Sequence, residues 1–173
     1  MKSPAMNKWR RILAHRWYDE ADARRMLGAD GMAQLQSRVA ASEQRHSGEI
    51  RICIEAGLPI SYLWREATPR ERAIAVFGKL RVWDTHANNG VLIYLLLAER
   101  AIEIVADRGL AALVDAAQWQ SITDGMSAAF RAGRFAEGLN QAVDAVDALL
   151  QRHFPLAADA LNPNELSDAP HWR

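Results

Sequence analysis

The sequence contains a single cysteine, Cys53, so no disulfide bond can form within the chain. It has no apolar run near the roughly 20 residues of a membrane-spanning helix, since the longest candidate runs from Val91 to Ala98. The N-terminus lacks the apolar core of a signal peptide. Charge is balanced, with 21 Lys and Arg residues against 21 Asp and Glu residues. These absences predict one cytoplasmic globular domain whose net charge indicates no partner.

Patterns that identify common enzymes are also missing. The chain has no G-x-x-x-x-G-K-[ST], G-x-G-x-x-G or G-x-S-x-G sequence, and its histidines form no HxxxH or HExxH pair. No arginine follows Cys53 in a phosphate-binding loop, so this residue is predicted to be a buried strand cysteine and not a nucleophile. Asp144 and Asp147 are one turn apart and are predicted to lie on the solvated face of a helix.

Charge is nevertheless distributed unevenly. Residues 1–25 contain seven Lys and Arg residues and three Asp and Glu residues, a local balance of 7 − 3 = +4. Trp9, Ile12, Leu13 and Trp17 lie among these charges. The favoured interpretation is a surface helix that docks its Trp and Leu side chains on the core. The alternatives are a helix that lies on an anionic membrane surface or a contact with nucleic acid.

Hydrophobic periodicity divides the chain into three parts. The apolar residues in 7–27 are spaced as in a helix, and Gly28 interrupts this pattern. Asp30 is predicted to cap a second helix. Alternation from Glu49 to Glu55 predicts a strand, and a capping box from Thr68 to Glu71 predicts the start of a helix. The predicted division is a basic helical extension over 1–28, an α/β domain over 29–155 and a flexible C-terminal tail over 156–173.

The middle of the chain predicts a small mixed sheet. Residues Val91 to Leu97 are apolar on both alternations, which is typical of a strand covered on both faces. A turn at 98–100 then leads into a second strand over Ala101 to Ala106, which predicts an antiparallel hairpin. A helix connects the first strand to the second, so that pair is predicted to be parallel. The predicted fold class is therefore α/β, with helices on the sheet and an N-terminal helical extension.

This topology brings two polar loops to one end of the hairpin. Asp84, Asn89 and Asp107 supply oxygen atoms that suit Ca²⁺ or Mg²⁺, and they are the candidate metal ligands. The alternative is that Asn88, Asn89 and Gly90 form a turn and that Asp107 caps the next helix. The candidate binding surface consists of Trp83, His86, Asn88, Asn89, Gly90, Arg108 and Gly109.

The order and spacing of several short motifs resemble the TPM domain family over about residues 30–154. The motifs are Ser47-Gly48-Glu49-Ile50, Phe77 to Trp83, Asn89-Gly90-Val91-Leu92-Ile93, Asp107-Arg108-Gly109-Leu110, and the Phe130 to Leu139 segment. The resemblance implies a Rossmann-like α/β sandwich. Family members are known in photosystem repair, as accessory subunits of membrane receptors, and as acid phosphatases that bind divalent metal.

The chain departs from the family in two respects. Many members carry a signal peptide and a C-terminal membrane anchor, which are missing here and suggest a soluble branch. Asn88 stands where the family often has Asp, so one carboxylate is lost from the metal-binding edge that the family implies.

The resemblance leaves three functional hypotheses. The favoured one is a non-catalytic interaction or accessory domain with a protein partner, including membrane-associated proteins. The second is a phosphatase-like hydrolase assisted by a divalent metal. The third is a module that binds an anionic membrane surface through its basic arm.

Overall fold

The computed structural model describes residues 8–157 and 162–173 of the chain, and the first seven residues of the predicted basic extension lie outside it. One four-stranded sheet carries helices on both faces. In chain order the elements are α1 (Lys8–Trp17), α2 (Glu20–Ser42), β1 (Ile50–Glu55), α3 (Ile60–Trp64), α4 (Pro69–Lys79), β2 (Val91–Leu96), a 3₁₀ turn (Leu97–Glu99), β3 (Ala101–Ala106), α5 (Arg108–Ala111), α6 (Ala116–Arg131), α7 (Phe135–His153) and β4 (His171–Trp172).

The sheet has the strand order β3-β2-β1-β4. β1 and β2 are parallel, and β2 and β3 form an antiparallel hairpin with Val91 opposite Ala106. The predicted mixed α/β fold is confirmed, together with the orientation of both strand pairs. β4 is an additional strand, parallel to β1, that the sequence did not predict.

Two apolar cores lie on opposite faces of the sheet. Ile50, Ile52 and Ile54 point into the larger core, which α2, α6 and α7 cover. Cys53 and Tyr94 point into the smaller core beneath α3 and α4. Cys53 is buried as predicted, and this burial raises the pKa of its thiol to about 12. Such a thiol carries almost no thiolate near neutral pH, so it is a structural residue.

The helix boundaries near the N-terminus differ from the prediction. The chain breaks after Trp17, where Asp19 and Asp22 form a capping box that starts α2. The predicted break at Gly28 is a kink within α2, at a φ of 69° that glycine adopts readily. Asp30 therefore lies inside a helix and does not cap one. The capping box at Asp19 therefore sets the start of α2, and Gly28 bends the helix without ending it.

The described part of the C-terminal segment also differs from the prediction of a flexible tail over 156–173. Residues 162–173 run along β1, and β4 occupies an edge that would otherwise expose unpaired backbone groups. The Asn162 side-chain amide donates to the Glu43 carbonyl at 2.8 Å. These contacts are tertiary and leave no periodic signal in the sequence. Residues 158–161 of the predicted tail lie outside the described residues.

Within the described ranges, no helix has both the length and the apolar content needed to cross a membrane.

Candidate functional site

The polar loops before β2 and after β3 meet at one end of the sheet, which we call the loop end (residues 83–90 and 107–109). The Asp107 amide donates to the Gly90 carbonyl at 2.8 Å, and the Gly109 amide donates to the Asn88 carbonyl at 2.9 Å. Two backbone hydrogen bonds therefore join the loops. The opposite end of β1 and β2 is about 20 Å away, as six extended residues require.

Side chains fix the same junction. The Arg108 guanidinium donates from Nη2 to Asn88 Oδ1 at 3.0 Å and from Nε at 3.2 Å. Asn88 has a φ of 53°, a left-handed conformation that Asn tolerates better than most residues. A Cβ atom at Gly109 would lie 2.5 Å from the Asn88 carbonyl oxygen, so glycine is required for this close approach. The loop end is consequently rigid although Arg108 is exposed.

Two buried oxygens at the loop end have no hydrogen-bond partner among the described residues. Asn89 donates from its side chain to Ser47 Oγ at 3.2 Å, which leaves its Oδ1 unpartnered. Asp107 caps α5 by accepting the Arg108 amide on Oδ1 at 2.7 Å, which leaves its Oδ2 unpartnered. Buried polar atoms without partners are uncommon and call for an explanation. The turn and cap interpretation therefore accounts for only part of this structure.

The remaining predicted residues lie on the exposed side of the loop. Asp84 lines a separate cleft with Arg51, Arg81 and Glu165. The His86 amide donates to Glu165 Oε2 at 3.0 Å, and its side chain is exposed. Trp83 is 50% exposed. These three residues thus face solvent and the C-terminal segment, whereas Asn89 and Asp107 are buried beside the strands.

A metal site would draw on a small donor set. Asn89 and Asp107 offer one amide oxygen and one carboxylate oxygen, which are donors of the kind that Ca²⁺ and Mg²⁺ take. Across residues 8–157 and 162–173, no group of three or more His, Cys, Asp or Glu side chains is arranged to hold a metal ion.

Buried acids near the loop end were not predicted from the sequence. Glu43 accepts the Ile50 amide at 2.9 Å, and burial raises the pKa of its carboxyl to about 8. Glu49 accepts the amides of Glu165 and Leu166, and burial raises its pKa to about 7. These two carboxyls connect the start of β1 to the C-terminal segment.

A buried His-Asp pair was missed as well. His46 Nε2 lies 3.3 Å from Asp147 Oδ1, and burial lowers the pKa of the imidazole. Asp147 Oδ2 accepts from Arg45 at 2.6 Å. The prediction of a solvated Asp147 is therefore wrong, because the end of α2 packs over this side chain. Asp144 is exposed as predicted and pairs with Arg38.

The other end of the sheet, which we call the helix end, is covered by α1. The Leu58 amide donates to His15 Nδ1 at 2.9 Å, so the opposite ring nitrogen, Nε2, donates to Glu99 at 2.9 Å. Arg11 donates to the same carboxylate at 2.7 Å and also bonds the Ala67 carbonyl. A Cβ atom at Gly57 would lie 2.6 Å from the His15 carbonyl oxygen. The helix is therefore held tightly against the turn after β1.

A second buried polar network lies near the helix end, under α4. Arg72 donates to both carboxylate oxygens of Glu55, at 2.8 and 2.6 Å, and the Tyr94 hydroxyl donates to Glu55 at 2.7 Å. The Arg72 guanidinium also stacks on the Tyr62 ring, 4.7 Å from its centre. Arg72 Nε and Nη2 and both Glu55 oxygens have partners, which indicates a structural role.

Comparison with known proteins agrees with the fold and the loop motifs. Residues 21–149 match the model of the TPM domain. The BA42 protein of the psychrophilic bacterium Bizionia argentinensis has a similar structure, with 25% identity and a TM-score of 0.72 over 84% of this chain and 94% of BA42. The N-terminal domain of a P. gingivalis protein shares the fold, with 21% identity and a TM-score of 0.60 over 90% of this chain and 99% of that domain. Among curated proteins, none matches the sequence. Since the model match covers most of the chain, the protein belongs to the TPM domain family.

Proposed function

We propose that the protein is a non-catalytic accessory domain that binds a protein partner, itself membrane-associated, through the loop end. The observation that supports this is the joined pair of loops, which holds Arg108 and Asn88 in a fixed and exposed arrangement. Trp83 and His86 extend the same surface on its exposed side.

Rigidity is the physical argument for binding. Association orders loops and side chains at a cost of about 0.5–1.5 kcal/mol for each immobilised flexible side chain. The hydrogen bonds of Arg108 to Asn88 have already ordered that side chain. Tryptophan and arginine are also the residues most often responsible for binding energy in protein interfaces. The loop end therefore combines low ordering cost with side chains suited to an interface.

Site-specific photocrosslinking in the native cell tests this proposal. A photoreactive amino acid is placed at Trp83 or His86, with Ile74 of α4, which is exposed to a similar degree, as the matched control. We expect one crosslinked protein from Trp83 and His86 and none from Ile74. Arg108→Ala should abolish the product. Identical products from all three positions, or none from the loop end, would contradict the proposal.

A metal-assisted phosphatase-like hydrolase is the second candidate, favoured by the unpartnered oxygens of Asn89 and Asp107. These two residues would hold the cation. A bound Ca²⁺ or Mg²⁺ would polarise a phosphate ester and lower the pKa of its bound water. The protein's own contribution would be to orient the ion and to present Arg108 to the anionic substrate.

Calorimetry with Ca²⁺ and Mg²⁺, followed by hydrolysis of a generic phosphate ester, tests the second candidate. Asp107→Asn is the informative variant, because Asn also caps helices while the negative charge is removed. We expect both ion binding and hydrolysis to be lost. Hydrolysis that survives in this variant would come from a contaminant.

A further inference from the structure

Helix α1 faces the protein with Arg11, Ile12 and His15 and turns a stripe of large apolar side chains to solvent. Trp9, Leu13 and Trp17 follow one another at intervals of four residues, so they share one face of the helix. Their exposures are 67%, 57% and 81%. The predicted docking of these side chains on the core is therefore wrong. Arg11 and His15 hydrogen-bond to the body of the protein, and Ile12 packs against the smaller core.

This orientation is the reverse of what a surface helix normally shows. An amphipathic helix on a globular protein places its apolar stripe toward the core. Here the hydrogen bonds of Arg11 and the buried His15, together with the packing of Ile12 against the smaller core, fix the helix. The neighbouring helix α3 exposes Ile60 and Trp64 as well. Contiguous exposed apolar groups of this size mark interaction surfaces.

Basic residues flank the apolar stripe. Arg10 and Arg16 are exposed and lie on either side of Trp9, Leu13 and Trp17 when the helix is viewed along its axis. The helix contains four Lys and Arg residues and no acidic residue. A partner that binds this face of α1 must therefore accept aromatic and aliphatic side chains in the middle of the contact and present negative charge around them.

We propose that α1 lies on the surface of an anionic lipid bilayer, with Trp9, Leu13 and Trp17 inserted at the headgroup level and Arg10 and Arg16 against lipid phosphates. Tryptophan favours this interfacial depth because its ring is apolar and its N–H can reach water. Arginine keeps its charge at the headgroups while its methylene groups cover apolar surface. A single straight ridge of about 15 Å suits a flat bilayer. The inference concerns the helix end and does not depend on the partner proposed for the loop end.

Co-sedimentation of the full-length chain with vesicles tests the proposal. The probes are phosphatidylcholine vesicles with 30% phosphatidylglycerol, and pure phosphatidylcholine vesicles as the zwitterionic control; this composition is about that of a moderately anionic membrane. Trp17→Ser and Leu13→Ser remove the apolar stripe. Ile74→Ser and Leu113→Ser remove similarly exposed residues elsewhere and serve as matched controls.

We expect binding to anionic vesicles that weakens at least about tenfold in Trp17→Ser and is unchanged in Leu113→Ser. Arg10→Gln and Arg16→Gln should each weaken it roughly fivefold at low salt. Because Trp17 is mostly exposed, its substitution leaves the fold intact, and circular dichroism verifies this.

Three outcomes would overturn the proposal: no binding to either vesicle, equal binding to both vesicles, or an equal loss in the Trp17 and Leu113 variants. A protein ligand of α1 is revealed if vesicles fail to bind while an acidic peptide binds and is released by Trp17→Ser. Failure of the vesicle test leaves the crosslinking at the loop end unaffected, so the two proposals fail separately.

Discussion

In the described structure, the loop end of the sheet has buried oxygens without hydrogen-bond partners, whereas the helix end has exposed apolar side chains. At the loop end, backbone and side-chain bonds tie two loops together but leave Asn89 Oδ1 and Asp107 Oδ2 unpartnered in the described structure. At the helix end, Arg11 and His15 hydrogen-bond to Glu99, and Trp9, Leu13 and Trp17 of α1 are exposed. The unpartnered oxygens at the loop end and the exposed apolar side chains at the helix end suit two different binding partners.

The family match divides the two ends in the same way. Residues 21–149 include both loops of the loop end, whereas α1 and β4 lie outside that range. The loop end therefore belongs to the family's core structure. The outward-facing helix lies outside the matched range, and its chemistry is explained from this chain's own residues.

Breaking the buried pair below α4 has the largest expected effect. Arg72→Met leaves the Glu55 carboxylate buried without its cation, which should lower the free energy of unfolding by about 3–5 kcal/mol. Urea denaturation measures this loss. Arg70→Met, which removes a half-exposed partner of Glu103, should cost less than about 1 kcal/mol. Equal losses in both variants would show that the Glu55 pair is not specially important.

Closing the space at Gly109 should damage the loop end selectively. In Gly109→Ala the new methyl group meets two backbone carbonyl oxygens, so we expect a loss of about 1–3 kcal/mol in the free energy of unfolding. Gly125→Ala is the matched control, because its Cβ enters open space within α6 and should stabilise the protein by about 0.5–1 kcal/mol. A harmless Gly109→Ala would mean that the loops are not tightly joined.

Removing the anchor of α1 should loosen the helix end alone. His15→Ala takes away the acceptor of the Leu58 amide and a donor to Glu99, at a cost of about 1–3 kcal/mol. Hydrogen exchange should accelerate at Leu58 and in α1, while the Gly109 amide keeps its protection. Equal acceleration at both amides would contradict the independence of the two ends.

The smallest effect expected is a dependence of stability on pH. The pKa of Glu43 rises from 4.5 to about 8 on folding, so the folded state binds the proton more tightly than the unfolded state. The contribution is complete below pH 4.5 and declines as pH rises through 8. The pKa of His46 is lowered, so its contribution to stability grows only as pH rises toward 6.5. Between pH 6.5 and 8, the change in stability therefore reports the carboxyls and not His46. In Glu43→Gln, urea denaturation should show a much smaller decline in the free energy of unfolding across this window. An unchanged slope would rule out Glu43 as the source of the decline.

Sequence patterns predicted several locally encoded features, although the local capping box at Asp19 was missed. The hairpin followed from an apolar run, a short turn and a second strand, and the capping box at Thr68 is present with Pro69 in the first turn. The convergence of the two loops followed from strand order alone. Each of these features depends on residues that are neighbours in the chain.

The other missed features, such as the burial of Asp147 and the pairing of β4, depend on contacts between residues that are far apart in the sequence. Asp147 looked solvated because Val143 and Val146 mark the buried stripe of α7, yet Arg45 and His46, just after α2, contact it and it is buried. β4 has only two residues and pairs across more than a hundred positions of sequence. The inverted α1 was missed because its periodicity shows an apolar stripe without showing which side faces the core.

One labelling experiment tests the contrast between the two ends most directly. Native Cys53 is buried and its thiol pKa is raised, so it provides an unreactive background for single cysteines placed at Leu13 and at Trp83. Both Leu13→Cys and Trp83→Cys should react rapidly with a thiol reagent in solution. Anionic vesicles should then protect position 13 and leave position 83 reactive. Slow labelling at position 13 in solution, or equal protection at both positions, would contradict this account.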